Sequence, residues 1–408
     1  MNFTLLMLLV FRLGSSIPVP YMNKLVIKQI FEASQGGILQ FLDLMAGGTF
    51  SNFSIFATNI YPYITASIVI QLLTIAIPKL EELAKEGEEG KKKINKYTRV
   101  LALVLAGVQA VGYTLGIFRT ALDPSAGTLQ KIIVVITLIA GTAFLIWIGE
   151  QITQNGVGNG ISLLIFIGII SRLPASMMGI FRSVAAGYLD IFKVLILGIV
   201  LLAIIAFVVA LQEGERRVPV QYAKRVVGRK MYGGQSTHIP IKVLMSGVLP
   251  VIFASALLSL PQTVTLFSDG AFAQWVLKYL TPQGTVGMWV YSLINVALIM
   301  FFTYFYTAIQ FNTVEYSKNL QQNGGFIPGI RPGRPTSDYL NRVVSRLTFV
   351  GGFSLALLSS LPIILSNLFG MNINFGGTAV IIVVGVALET VKQLESQMLM
   401  RHYKGFLK

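Results

Sequence analysis

The residue types that ordinarily carry chemistry are sparse in this chain and do not converge. The only histidines, His238 and His402, lie far apart, and the absence of cysteine excludes disulfides, iron–sulfur clusters and thiolate nucleophiles. No H-E-x-x-H zinc motif occurs. Gly90-Lys91 lacks the upstream glycine of a phosphate-binding loop, and Gly234-Gln235-Ser236 lacks the closing glycine of a nucleophile elbow. Asp43 reads as a solvated carboxylate and Glu389 as an interfacial one, neither as a catalytic acid or proton relay. The expectation is a protein that is not an enzyme and holds no cofactor and no metal. What the chain has in quantity is long runs of Ile, Leu, Val and Phe carrying isolated Ser, Thr, Asn and Gln.

Those runs need a solvent other than water. Of 408 residues, 54% are hydrophobic and only 12% charged, about half the charged share of a soluble domain. The net charge of +15 is not spread as a nucleic-acid-binding surface would be. It sits in polar loops: seven Lys/Arg in 79–99, seven in 212–242 and five in 311–346. A hydrocarbon core about 30 Å thick takes roughly 20 helical residues per crossing. Spans are expected near 3–19, 54–78, 99–118, 131–149, 160–180, 190–212, 242–266, 289–311, 345–368 and 376–398, ten in all. The basic loops follow spans two, six and eight and therefore share one side. Lys/Arg-rich loops stay cytoplasmic, which puts both termini in the cytoplasm. The first apolar run has neither a basic n-region nor an A-x-A site, so no cleavable signal is expected.

An odd number of spans on each side of residue 185 makes halves 1–185 and 186–408 inverted with respect to each other, and inverted repeats place the functional path between them. The segment 38–50 is apolar on one face and too short to cross, so it is either re-entrant or an interfacial helix. Gly47-Gly48 permits a sharp bend after it. The second span is polar for lipid, with Asn59, Pro62, Thr65, Ser67 and Gln71, and should face other helices or an aqueous path.

Five blocks carry a specific resemblance. Pro62-Tyr63-Ile64-Thr65-Ala66-Ser67-Ile68-Val69-Ile70-Gln71-Leu72-Leu73 resembles the second span of the SecY family of protein-translocation channels. So do Gly149-Glu150-Gln151-Ile152-Thr153 with Gly158-Asn159-Gly160-Ile161-Ser162, then Gln221-Tyr222-Ala223-Lys224-Arg225, Gln235-Ser236-Thr237-His238-Ile239-Pro240, and Phe326-Ile327-Pro328-Gly329-Ile330-Arg331-Pro332-Gly333. The blocks run in family order over nearly the whole chain. The family's basic amphipathic segment before the first span is not matched at this chain's start.

The resemblance implies an all-α membrane protein of ten helices with a short re-entrant plug, acting as a conduit for unfolded preproteins in the bacterial plasma membrane. It implies a pore ring of Ile64, Ile68, Ile165, Ile169, Ile252 and Ile382. A plug would include Phe41, Leu42, Leu44 and Met45. A lateral gate between the second and seventh spans would carry Ser67, Gln71, Ser255 and Gln262, although simple helix packing explains each of these equally well. Lys224, Arg225, Arg229, Lys230 and Arg331 would dock a SecA-type motor ATPase or the ribosome, although orientation alone accounts for most basic loop residues. Partners would be SecE- and SecG-type small membrane subunits, the signal sequences of clients and the lipid bilayer. A secondary transporter for a small solute is the alternative. It would need charged groups near mid-membrane, of which Arg12 is the nearest case.

Overall fold

The computed structural model describes residues 1–33, 43, 47–123, 127–187, 190–222, 225–227, 230–232, 236–265, 270–281, 285–369 and 377–405. In chain order the helices are α1 (Asn2–Gly14), α2 (Lys24–Ala33), α3 (Tyr61–Ala76), α4 (Pro78–Lys85), α5 (Glu88–Gly112), α6 (Thr128–Asn155), α7 (Gly160–Ala185) and α8 (Ile191–Glu213). A strand region follows: β1 (Glu215–Tyr222), β2 (Arg225–Val227), β3 (Lys230–Tyr232) and β4 (Ser236–Lys242). Then come α9 (Leu249–Val264), α10 (Ala271–Tyr279), α11 (Thr285–Gln310), α12 (Thr313–Gln322), β5 (Gly325–Phe326), α13 (Arg334–Phe369) and α14 (Gly377–Gly405). Each of the ten expected spans falls on a helix: α1, α3, α5, α6, α7, α8, α9, α11, α13 and α14.

Among the described residues, six helices are by themselves long and apolar enough to cross a bilayer. Three others are shorter than the expected spans, each for a local reason. α1 stops at Gly14, where Ser15 Oγ donates to Arg12 O at 2.7 Å and Pro18 and Pro20 follow. α3 begins only at Tyr61 because Phe53 and Asn59 hold positive φ in the preceding turns. It ends where Ile77, before Pro78, is extended, as a pre-proline residue prefers, and α4 turns away by 102°. α9 begins after a turn through Gly247 at φ +59°, with Pro250 in its first turn.

The surrounding helices show the bilayer as their solvent. α8 leaves Leu195, Ile199 and Leu202 exposed, and α13 leaves Phe349, Val350, Phe353 and Leu357 exposed. Exposed apolar rows of this extent belong against lipid. The buried side is one large cluster drawn from both halves of the chain. α3 and α7 of the first half pack on α9 and α14 of the second, and α8 also packs on α14. A second cluster, Phe31, Phe50, Phe53, Tyr113 and Phe118, lies beneath the residues leading into α3. Phe118 meets Phe50 and Phe53 edge-on at 5.4 and 4.7 Å between ring centroids.

The loop expected at 212–242 is an antiparallel structure, so the all-α reading gains a small β appendage. β1 pairs with β4 from Glu215↔Lys242 to Gln221↔Ser236 and with β5 at Gln221↔Phe326; β2 and β3 form a separate hairpin. The alternation is in the sequence: Val218, Val220 and Ile241 are buried on one face, packed with Leu340 and Val344 of α13, while intervening residues face solvent.

Glycine sets how closely these parts approach. A Cβ on Gly141 of α6 would lie 1.8 Å from Ile55 O, so the loop before α3 rests on bare helix backbone. Gly141→Val is expected to destabilise the fold by at least the ~1–3 kcal/mol of overpacking and so to lower the melting temperature in detergent sharply. Gly198→Ala in α8, with nothing within 4 Å, should melt as the unmodified protein does. Thermal unfolding by tryptophan fluorescence reads both.

Candidate functional site

Ile64 and Ile68 stand one helical turn apart on α3, and Ile165 and Ile169 likewise on α7, so each pair presents one face. Ile252 comes from α9 and Ile382 from α14. All six are buried, between 1% and 6% exposed, in the one cluster where the two halves of the chain meet. Ile64, Ile165, Ile252 and Ile382 line a single cavity of about 10 Å³ with Asn59, Ile60, Tyr61 and Ser255. That volume is at the lower limit for one water molecule, and the lining is mostly isoleucine with Asn59, Tyr61 and Ser255 among it.

The candidate plug residues Phe41, Leu42, Leu44 and Met45 lie outside the described residues. Its described rim is held against α7. Gly47 and Gly48 adopt φ +66° and +87°, the left-handed region that glycine enters freely. A Cβ on Gly47 would come within 2.5 Å of Gly168 Cα, so the rim contacts α7 backbone to backbone between Ile165 and Ile169. Ser171 Oγ donates to Gly47 O at 3.3 Å.

Asp43 corrects a sequence expectation. It is buried rather than solvated: its carboxylate forms an ion pair with Arg172 and accepts from Ser51 N at 2.6 Å. Arg172 Nη2 also donates to Ser51 Oγ at 2.7 Å. Sequence reasoning passed over Arg172, which sits three residues beyond Ile169 on the same face of α7. Its signal was available, since an arginine within an apolar span marks a functional or paired position.

Among the described residues, no bond joins the α3 gate candidates to those of α9. Gln71 Nε2 donates to Ser67 Oγ at 3.2 Å within α3, and Gln71 Oε1 accepts from Tyr306 of α11. Ser255 Oγ donates back to Val251 O at 2.9 Å, and Gln262 Nε2 donates to Leu280 O at 2.7 Å beyond α10. Gln71 and Gln262 therefore reach other elements, Ser67 and Ser255 bond within their own helices, and α3 and α9 themselves pack together.

On the polar side, Lys224 and Arg229 lie outside the described residues, and Arg225 and Lys230 fall on β2 and β3. Arg331 is exposed at the tip of a constrained turn. Gly329 and Gly333 flank it at φ +80° and +94°, Ile330 N donates to Ile327 O, and Thr336 Oγ1 donates to Arg331 O at 2.9 Å. The Gly149–Ser162 blocks do structural work. Asn159 caps α7 by accepting from Ile161 N and Ser162 N, and Thr153 Oγ1 accepts from Gly160 N. Gly160 lies so close to Gly149 O that a Cβ would stand 2.0 Å from it.

The sequence profile of the SecY family matches residues 54–391 of this chain. A protein translocase subunit SecY of Halalkalibacterium halodurans is 48% identical over all of this chain and 96% of its own length. The chain belongs to the SecY family. Solved structures share the SecY fold at lower identity. One described as the structure of a protein conducting channel superposes with a TM-score of 0.69 at 20% identity, covering 98% of this chain and 92% of that one. Sec61 in a canine ribosome–channel complex gives 0.65 at 18% over the same shares. Membership in SecY makes this a multi-pass membrane protein and decides against the small-solute transporter.

The buried pair generates a test. Asp43→Ala and Arg172→Ala should each cost about 1–3 kcal/mol of stability, given that Arg172 is partly exposed, and so lower the melting temperature. The double variant should lose less than the two singly altered proteins together, because neither charge is then stranded. Strict additivity in the thermal melts would dissociate the two side chains.

Proposed function

We propose that this SecY-family chain is the channel subunit of a bacterial plasma-membrane translocase, passing unfolded preproteins across the bilayer and releasing apolar segments sideways into it. The observation that carries this reading is the meeting of six buried isoleucines from four helices between the two halves of the chain. A narrow ring of aliphatic side chains excludes water and ions by dewetting, yet makes no specific bond to hold a passing chain. Aliphatic side chains also yield by rotamer changes, so the same ring can widen around clients of different sequence.

The segment around 38–50 acts as the plug on the external side of the ring, anchored at its rim by Asp43, Gly47 and Gly48. The two halves are inverted repeats with the path at their interface, and both termini are cytoplasmic. α3 and α9 part as the lateral gate. A segment in the channel then samples lipid, which Leu, Ile, Phe and Val favour and charged residues disfavour by a few kcal/mol each. Parting these helices separates Ser67 and Gln71 from Ser255 and Gln262 without breaking a bond among the four.

The chain supplies no energy of its own. Direction comes from a SecA-type motor ATPase or from the ribosome, docked on Lys224, Arg225, Arg229, Lys230 and Arg331. An exposed cation on a turn held by two positive-φ glycines and a buried Ile327 is pre-ordered for a partner. SecE- and SecG-type small subunits complete the membrane complex, and signal sequences of clients enter at the gate.

Two experiments follow. Ile68→Asn with Ile252→Asn should wet the ring and raise resting conductance in planar bilayers; an unchanged conductance removes the ring from these residues. Arg331→Glu should leave expression and topology intact and abolish motor-driven translocation into reconstituted vesicles. Lys91→Glu, in a segment where Glu88 already offsets Lys91 at 3.6 Å, should be mild. Equal translocation by both variants leaves Arg331 with a topological role only.

A further inference from the structure

One cavity outside the candidate channel is lined by three arginines. Arg216 of β1 and Arg342 and Arg346 of α13 surround an open groove of about 250 Å³ with Tyr339, Val343 and Leu347. Many water molecules fit such a volume. All three arginines are exposed, and among the described residues none forms a salt bridge. The nearest acid on β1, Glu215, is engaged by Arg217 at 2.7 Å. Orientation in the membrane explains why this side is basic, but not why guanidinium groups from two separate elements share one concavity.

The groove lies where α13 passes from polar to apolar. Its first turns carry Arg334, Asp338, Arg342 and Arg346, and beyond them Phe349, Val350, Phe353 and Leu357 form an exposed row at helical spacing. Phe349 and Phe353 stack at 6.2 Å, which makes part of that row one flat aromatic face. From Arg346 to Leu357 the helix rises about 16 Å, roughly half the hydrocarbon thickness. A cationic cradle thus stands at the end of an apolar track one leaflet deep.

We infer that this groove binds an anionic phospholipid of the leaflet on the basic-loop side, its phosphate among Arg216, Arg342 and Arg346 and an acyl chain along Phe349, Val350, Phe353 and Leu357. Guanidinium groups match phosphate in both charge and geometry, offering paired donors that a single ammonium cannot. Free phosphate would satisfy the cradle but leave the apolar row without a role. A bound lipid would tie β1, the root of the basic strand region, to α13 at the membrane surface.

The test uses the complex purified with whatever small subunits accompany it and reconstituted in phosphatidylcholine vesicles. A trace of phosphatidylglycerol bearing a photo-crosslinker near its headgroup is added, with an equivalent phosphatidylcholine probe in parallel, and adducts are mapped by mass spectrometry. Phosphatidylglycerol should label the peptide spanning 334–347 at least about fivefold more than phosphatidylcholine does, from the usual worth of a basic residue at an anionic surface. Arg342→Gln with Arg346→Gln should bring labelling down to the phosphatidylcholine level, whereas Lys318→Gln, an exposed cation outside the groove, should not change it. Labelling of the unmodified complex stands independently if the double variant fails to insert. Equal labelling by both lipids overturns the proposal, as does labelling that survives the double variant. Loss of label to millimolar inorganic phosphate would make this a free-anion site, and absence of label would show that a protein partner covers it; either result also overturns the proposal.

Discussion

Lipid hydrocarbon cannot complete a hydrogen bond, and the rest of this molecule is arranged around that constraint. Backbone groups are satisfied inside helices. Hydroxyls in the spans do the same at short range: Thr74, Thr303, Thr307, Thr348 and Thr390 each donate to the carbonyl four residues earlier, at 2.6 to 2.8 Å. Longer polar groups also reach other elements. Gln71 meets Tyr306, Asn295 donates to Ser359 at 2.9 Å, and Arg172 meets Asp43. These few bonds fix helices relative to one another, because losing any of them would leave a polar group with no solvent to return to.

The same medium removes the usual reason for helices to associate. Lipid tails are as apolar as leucine, so contact must come from close fit rather than from escape from water. Glycine supplies that fit at Gly47 on Gly168, Gly141 on Ile55, and Gly149 beside Gly160, where a single Cβ would not fit. At the centre the demand is reversed. There six isoleucines from four helices put bulk without polarity where the other contacts put glycine.

Beyond the bilayer the rules become those of a soluble protein. The β1–β4 ribbon buries Val218, Val220 and Ile241 against Leu340 and Val344 and turns its charge outward. Its strand order β4-β1-β5 draws the 325–326 segment against the 215–242 region. The turn holding Arg331 is therefore carried on the same small core as the basic strands.

Much of this was legible along the chain. Apolar length gave ten helices at their places, because hydropathy acts on each segment separately. Gly47-Gly48 carried the bend, whereas the strand holding Val218 and Val220 lay within what charge and length read as a loop. Helix ends were less legible: α1, α3 and α9 stop short through Ser15, Pro78 and Gly247, where turn chemistry outweighs hydropathy. Only the tertiary structure joined Asp43 to Arg172, turned Gln71 to Tyr306 instead of toward α9, and gathered Arg216 with Arg342 and Arg346. Each of those contacts links residues far apart in sequence, and sequence periodicity specifies which face of a helix is polar but not which helix lies opposite.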